Sequence, residues 1–192
     1  MNFLGHLYLS GDDPLVIVGN FMADSVKGRD LSRHPEAVQR GIVLHRTIDV
    51  FTDQHPITLT GRDRLRAHAG KYAGVALDVF YDHVLAANWA ALHPEPLADF
   101  TGRMYALLQA HQHLMPEATR HMLPYMVRYD WLTSYARIEG IGRALEGLSR
   151  RVPAGGALSG AERVLEAHYD DYRAEGLAFV AELERHLRTQ AA

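Results

Sequence analysis

The sequence contains no cysteine, which excludes disulfide bonds, thiolate metal ligands and a cysteine nucleophile. It also has no uninterrupted apolar run of the roughly 18 residues that a membrane-spanning helix requires. Its first residues, MNFLGHLYLSGDDP, lack the basic region and the small-residue cleavage pattern of a signal peptide. We therefore expect a cytoplasmic protein that contacts no membrane.

The sequence also lacks an excess of positive charge, since its formal net charge is −3 at pH 7. Generic binding to nucleic acid is therefore not expected, and a charged partner would have to meet a local patch. The 192 residues are 47% hydrophobic and 22% charged, which is typical of a globular domain. Histidine, by contrast, is frequent: the chain has 12, and imidazole is a common ligand of transition metals.

Apolar residues recur at helical spacing along almost the whole chain, and no segment shows the sustained alternation of a strand. The pattern predicts helices near residues 2–9, 13–26, 35–53, 56–69, 72–92, 96–114, 116–132, 136–150 and 160–188. The segment VPAGGALSG (152–160) is predicted to be a linker-like loop, because glycine and proline disfavour a helix. We expect a single all-α domain, a helical bundle that spans residues 1–192.

Three apolar helical stretches each carry a polar pair spaced four residues apart, so both side chains of a pair share one helix face. The pairs are Asn20/Asp24, His45/Asp49 and Asp78/Asp82. Carboxylates on apolar helices are costly to bury unless a cation neutralises them. The pattern predicts a helical bundle with an acidic metal site inside it.

Asp78 and Asp82 give the strongest signal, because apolar residues surround both of them along their helix. Two carboxylates this close repel each other, and one takes up a proton unless a cation is present. The alternative is that one of them forms a buried salt bridge with an arginine. His83 follows Asp82 and is expected to reach the same site only at its edge.

His45 and Asp49 can supply one nitrogen and one oxygen ligand, a mixture that favours borderline ions, and Asp53 continues the same face. The alternative is a hydrogen bond on the helix surface. Of the first pair, only Asp24 is expected to function, although it could also end a helix in solvent. His6 is expected to join the site only if its helix packs against the others; otherwise it is a core residue.

Basic residues lie close to these segments. Arg46 follows His45 and could bind a phosphate oxygen with two hydrogen bonds. A further basic run is either a solvated face or a docking patch for an acidic partner. This run consists of Arg62, Arg64, Arg66 and Lys71.

Other patterns carry less functional information. The chain has no P-loop, no GxSxG elbow and no HExxH zinc motif. Four aromatic residues at helical spacing are predicted to pack in the core: Tyr125, Tyr129, Trp131 and Tyr135.

The segments NFLGHLYL, GNFMADSVKG, LHRTIDVFTDQHP and KYAGVALDVFYDHVLA occur in this order within residues 1–90, and WLTSYARIEGIGRAL follows later. In this combination the chain resembles the acyl carrier protein phosphodiesterase family, also called ACP hydrolase. These proteins are all-helical and distantly related to HD-type phosphohydrolases. The resemblance therefore implies an HD-like helical bundle.

The resemblance also implies an activity in fatty acid and lipid metabolism. The expected reaction hydrolyses the phosphodiester between 4′-phosphopantetheine and a serine of holo-acyl carrier protein, which yields apo-acyl carrier protein. The expected cofactor is a divalent cation, Mn²⁺ before Mg²⁺ or Fe²⁺. Matched by motif, the expected metal ligands are Asp24, His45, Asp49, Asp78 and Asp82.

The remaining expected roles follow from the same resemblance and from phosphodiester chemistry. Arg46 is expected to stabilise charge in the transition state, and His6 or His83 to transfer a proton to the leaving oxygen. Because acyl carrier proteins are acidic, the run from Arg62 to Lys71 is the expected docking surface.

Two other functions are compatible with the same residues. A metal-dependent phosphohydrolase for nucleotides or other small phosphodiesters would use the same site with a different substrate surface. A non-catalytic helical module that binds carrier proteins would pair its acidic residues with arginines. The metal content of the purified protein separates this module from the enzymes, because the module should contain no metal.

Overall fold

The computed structural model describes residues 1–153 and 155–191, and these residues form helices, turns and bends without a β-strand. The helices are α1 (Phe3–Tyr8), α2 (Pro14–Met22), α3 (Glu36–Gln54), α4 (Pro56–Ala69), α5 (Ala73–Ala87), α6 (Trp89–Leu92), α7 (Leu97–Ala110), α8 (Glu117–Arg128), α9 (Trp131–Ser134), α10 (Ile138–Ser149), α11 (Glu162–Ala167) and α12 (Tyr169–Ala191). Short 3₁₀ turns cover Ala23–Ser25, Gly70–Tyr72, Gln112–Leu114 and Gly155–Leu158. The predicted all-α fold is confirmed, and its HD-like character stays a prediction.

Helix α5 is the centre of the bundle, because it is buried over most of its length and contacts α1, α4, α10 and α12. Its apolar side chains Leu77, Phe80 and Leu85 are fully buried. Apolar burial of this kind contributes most of the stability of a small domain. The N-terminal helix α1 packs directly on α5.

Helices α2 and α3 cross at very short range. A Cβ atom on Gly19 would lie 2.2 Å from the main-chain oxygen of Val38, and one on Gly41 would lie 2.1 Å from that of Val16. Any larger residue at either glycine would push the two helices apart. This close approach brings the polar residues of α2 against those of α3.

The helix ends follow recognisable local chemistry. Asp13 caps α2 by accepting a hydrogen bond from the Leu15 N–H at 2.9 Å, and Pro14 occupies the first helical position. The predicted helix 72–92 ends instead at Ala87, where the Asn88 side chain donates to the Val84 main-chain oxygen at 2.7 Å. The predicted helix 116–132 ends at Arg128, and Asp130 adopts a left-handed backbone with φ of 44°.

The loop predicted at 152–160 is packed against the body of the molecule. It contains the 3₁₀ turn Gly155–Leu158, in which Leu158 is fully buried. Residue 154 of this predicted loop lies outside the described residues. No helix among the described residues has the length and apolarity needed to span a membrane.

Candidate metal site

Side chains from three separate helices and one turn converge at a single point. His6 comes from α1, Asn20 from α2, Asp24 from the 3₁₀ turn that follows α2, and His45 with Asp49 from α3. His45 and Asp49 share a face because they are one helical turn apart. The α2–α3 crossing and the packing of α1 on α2 bring the others to this face.

The two imidazoles and the two carboxylates are in direct contact. The His6 and His45 rings stack with centroids 3.9 Å apart and an interplanar angle of 15°. The Asp49 carboxylate reaches both rings, with Oδ1 3.3 Å from His6 Nε2 and Oδ2 3.1 Å from His45 Nε2. Asp24 Oδ1 lies 3.2 Å from the same His45 Nε2 atom. Both histidines are buried, whereas the Asp24 side chain is exposed.

Asn20 fixes the orientation of both histidines. Its Nδ2 group donates to the His6 main-chain oxygen and to Ser10 Oγ, each at 2.9 Å, so its Oδ1 atom must face the imidazoles. His6 Nδ1 donates to Oδ1 at 2.9 Å, and His45 Nδ1 donates to the Asn20 main-chain oxygen at 2.9 Å. Since both Nδ1 atoms carry hydrogen and are occupied, the two Nε2 atoms are the ones turned toward the carboxylates.

The electrostatics of the cluster favour negative carboxylates beside His45. Burial lowers the pKa of His45, but its hydrogen bonds to Asp24 and Asp49 outweigh burial and raise the pKa to about 9. Burial opposes the charge of Asp49, yet hydrogen bonds to His45 and His6 hold the pKa of Asp49 well below its usual range. The hydrogen bond to His45 also lowers the pKa of Asp24. Burial lowers the pKa of His6, which favours a neutral imidazole.

The donor set fits a divalent transition metal. One ligand atom each from His6, His45 and Asp49 lies within 4.8 Å of the others, close enough for one ion to contact all three. Asp24 adds a carboxylate on the exposed side. Imidazole nitrogen combined with carboxylate oxygen suits borderline ions, and Nδ1 donation to a carbonyl oxygen is the usual support of a metal-ligating histidine.

Asp78 and Asp82, the acidic residues with the strongest sequence signal, have other partners in the structure. Asp82 is fully buried and accepts hydrogen bonds from the main-chain N–H groups of Asn2, Leu4 and Gly5 at 3.1, 2.8 and 3.1 Å. Burial raises the pKa of Asp82 to about 7, even though these hydrogen bonds oppose the shift. Asp78 accepts a hydrogen bond from the Met1 amino group at 2.9 Å. Their expected role as metal ligands stays a prediction, and the structure shows both residues attaching the α1 segment to α5.

The expected proton donor His83 and the expected transition-state residue Arg46 lie outside the cluster. His83 is buried on α5, donates from Nδ1 to the Tyr135 main-chain oxygen at 2.8 Å and packs edge-on against Tyr169. Arg46 donates to the Gly28 main-chain oxygen at 2.8 Å. Their expected roles stay predictions, whereas His6, the other expected proton donor, lies among the candidate ligands.

The basic run has three arginines on α4, and its lysine lies in the 3₁₀ turn Gly70–Tyr72 that follows this helix. Arg64 makes two hydrogen bonds to the Glu175 carboxylate at 2.9 and 2.7 Å and stacks on the Tyr172 ring, so it joins α4 to α12. The other three members line a cleft of about 380 Å³: Arg62, Arg66 and Lys71. This cleft shares Asp53, Val75 and Asp78 with the cavity that contains the histidines.

The cavity above the cluster has a volume of about 310 Å³ and contains residues that sequence reasoning did not select. Arg151 supplies a positive charge, and Phe3 and Leu148 supply apolar walls. Sequence reasoning also does not select Asn20, because the sequence pattern favours Asp24 of the Asn20/Asp24 pair as the functional residue. No local motif marks Arg151, because only the fold brings it to α1 and α3.

Comparisons with known proteins place these residues in a family context. A family model described as acyl carrier protein phosphodiesterase matches residues 1–183. An acyl carrier protein phosphodiesterase of Photorhabdus laumondii subsp. laumondii is 35% identical over 175 residues, covering 91% of this chain and 88% of that protein. One of Yersinia enterocolitica is 34% identical over 170 residues, covering 88% of each chain. Among solved structures, the comparison finds no significant match.

Proposed function

Because the chain belongs to the acyl carrier protein phosphodiesterase family, we propose that it hydrolyses the phosphodiester that joins 4′-phosphopantetheine to a serine of holo-acyl carrier protein. The products are apo-acyl carrier protein and 4′-phosphopantetheine. The observation that carries the proposal is the convergence of His6, His45 and Asp49 in a cavity that also presents Arg151. Imidazoles and carboxylates can hold a divalent cation for phosphodiester hydrolysis, and a guanidinium can stabilise charge on the phosphoryl group.

We propose that a divalent cation, Mn²⁺ first, binds between His6 Nε2, His45 Nε2 and the Asp49 carboxylate, with Asp24 completing the site from its exposed side. When bound, the cation supplies Lewis acidity to the phosphoryl oxygen and lowers the pKa of a water molecule. The two oxygen atoms of Asp49 lie 3.3 and 3.1 Å from the Nε2 atoms of His6 and His45, and Asn20 orients both rings through their Nδ1 atoms. This arrangement keeps the ligand atoms in place before the substrate arrives.

The residues around the cluster provide the remaining chemistry in this proposal. Arg151 adds positive charge on the open side of the cavity, where a phosphoryl group carrying negative charge would lie. Phe3 and Leu148 restrict the access of bulk water, which strengthens these electrostatic interactions. Asp82 holds the first residues of α1 through their main-chain N–H groups, and α1 in turn positions His6.

The experiment that tests the proposed function is mass spectrometry of holo-acyl carrier protein after incubation with the purified protein and Mn²⁺. A mass loss that corresponds to phosphopantetheine is the expected result, and a chelator should prevent it. An unchanged mass, together with cleavage of nucleotide diesters, would instead identify a small-molecule phosphohydrolase. An unchanged mass and a metal-free protein would identify a non-catalytic binding module.

A further inference from the structure

A second and larger cavity lies beside the candidate metal site. Its volume is about 460 Å³, within the range of sites that bind small organic molecules. It shares Asn2, Phe3, Leu148 and Arg151 with the cavity above the histidines. A molecule whose phosphate lies at the metal site could therefore extend into this second cavity without leaving the protein.

Several aromatic residues line this second cavity. Tyr129, Trp131 and Tyr135 contribute rings, and Gly147 of α10 lines the same cavity with open space at its Cβ position. Tyr129, predicted from sequence to pack in the core, is 59% exposed, and so is Tyr125, so the core prediction is wrong for both residues. Large apolar surfaces left exposed at a cavity are typical of ligand-binding sites.

The lining of this second cavity also includes polar groups. Asn2, Ser134 and Arg143 contribute polar groups to the lining. The Arg151 guanidinium lies 5.6 Å from the centroid of the Trp131 ring, a cation–π distance that holds its charge at the junction with the metal site. The positive charge therefore lies between the two cavities, where a phosphate bound at the metal site would be within its reach.

The backbone beside these aromatic residues is strained. Asp130 lies between Tyr129 and Trp131 and is the one non-glycine residue with positive φ in the described part of the chain. A left-handed conformation costs free energy for a side-chain-bearing residue, and it persists where the surrounding structure requires it. Here it separates α8 from α9 and directs both neighbouring side chains to the same cavity.

We propose that this second cavity binds the pantetheine arm of the substrate, an inference that rests on the proposed function. The arm alternates apolar carbon groups with two amides and carries no charge beyond its phosphate. The aromatic rings can pack on its carbon groups, and Asn2, Ser134 and Arg143 can form hydrogen bonds with its amides. Arg151 supplies positive charge at the phosphate end, where the two cavities meet. The carrier protein then remains on the open side of the metal site.

The proposal can be tested by filling the second cavity with a larger side chain on α10. A Cβ atom on Gly147 has no neighbour within 4 Å, so Gly147→Leu can extend into the space without a main-chain clash. Gly147→Ala adds a single methyl group and should have a smaller effect. The matched control is Gly102→Leu in α7, because Gly102 is also helical, also has open space at its Cβ position and lines neither cavity.

The measurements are hydrolysis of holo-acyl carrier protein, hydrolysis of bis(p-nitrophenyl) phosphate and calorimetric binding of free 4′-phosphopantetheine. In Gly147→Leu, the ratio of carrier-protein to small-diester activity should fall about tenfold or more, as expected when a pocket is filled. The affinity for 4′-phosphopantetheine should fall with it. Gly102→Leu should leave the ratio and the affinity as in the wild type, which separates a filled cavity from a general effect on folding.

Unchanged affinity for 4′-phosphopantetheine in a folded Gly147→Leu protein would overturn the inference. So would an equal loss of activity on both substrates. The binding measurement keeps the two proposals distinguishable: a wild-type protein that binds 4′-phosphopantetheine in this cavity but leaves holo-acyl carrier protein intact would overturn only the proposed function.

Discussion

At the scale of single residues, Asn20 has the largest consequence for the site. It is fully buried, and its side chain and main chain together make hydrogen bonds to both histidines and to Ser10. These contacts decide which imidazole nitrogen faces the cavity. A residue that carries no charge thus determines whether two metal ligands are available.

Asn20→Leu is therefore expected to weaken metal binding. The substitution removes the acceptor of His6 Nδ1, so the His6 ring is free to rotate or to exchange its tautomer, while His45 retains its main-chain partner. Loss of such a supporting group typically costs about 10-fold to 100-fold in metal affinity. Titration calorimetry with Mn²⁺ measures this directly and does not depend on turnover.

Ser10→Ala is the control for this prediction. Ser10 contacts the Nδ2 atom of Asn20 and does not touch either imidazole ring in the described contacts. Its removal should leave the Mn²⁺ affinity within a few-fold of the wild type. Equal affinities of Asn20→Leu and the wild type would show that the histidines are oriented by other contacts.

Only some residues of the candidate site could be predicted from the sequence. The His45/Asp49 pair could be identified because helical spacing fixes their relative position. The roles of His6 and Asn20 could not be predicted from sequence. The contacts of the His6 ring with the Asn20 amide and with the His45 ring depend on how α1, α2 and α3 pack. The same i, i+4 rule selected Asp78 and Asp82, whose partners in the structure are main-chain N–H groups and an amino group about 80 positions away.

At the scale of secondary-structure elements, the sequence predicted most helices but missed some of the breaks between them, such as the one at His168 that divides the predicted helix 160–188 into α11 and α12. The predicted bounds of α1, α3 and α4 agree with the structure to within two residues. Apolar periodicity continues through Asn88, so it did not reveal that this side chain bonds to Val84 and ends α5. The close contact between Gly19 and Gly41 could not be predicted from sequence either, because the crossing of two helices leaves no local sequence pattern.

The attachment of α1 to α5 by Asp82 yields a prediction at this scale. Asp82→Asn replaces one carboxylate oxygen by an NH₂ group and leaves the buried Leu4 N–H without its acceptor. A buried donor without a partner costs about 1–3 kcal/mol, so the free energy of unfolding should fall by that amount. Urea unfolding in the presence of EDTA measures it without any contribution from metal.

Because burial raises the pKa of Asp82 to about 7, its negative charge opposes folding at neutral pH. The comparison is therefore made at about pH 4, close to the pKa of an unfolded aspartate, where this charge no longer contributes. A loss of stability at this pH is expected from the hydrogen bonds to Asn2, Leu4 and Gly5. A gain would contradict the attachment role.

At the scale of the whole molecule, the charge distribution decides how an acidic protein substrate could approach. The net charge of −3 gives no general attraction, so the encounter depends on local cations. Arg62, Arg66 and Lys71 line the cleft that adjoins the metal site. Arg62 also pairs with Asp53 and the exposed Arg66 with Asp63, whereas Arg64 pairs with Glu175 on α12. The sequence placed these four basic residues in one run, and only the fold separates the three that face the cleft.

The double variant Arg66→Glu with Lys71→Glu is expected to raise KM for holo-acyl carrier protein. Both side chains are exposed beside the cleft, so their reversal replaces attraction to an acidic partner by repulsion. The expected increase is roughly tenfold, equivalent to about 1.4 kcal/mol, and it should shrink as salt is added. Steady-state kinetics at several ionic strengths, with bis(p-nitrophenyl) phosphate as the second substrate, measures the effect.

The matched control for docking is Arg185→Glu with Arg188→Glu on α12. It changes the net charge by the same amount, and both side chains are exposed away from the cleft and the two cavities. Its KM for holo-acyl carrier protein should stay near the wild-type value if local charge controls docking. An equal rise of KM in both double variants would mean that total charge governs the encounter. If Arg66→Glu/Lys71→Glu lost activity equally on holo-acyl carrier protein and on the small diester, the two residues would instead act in the chemical step.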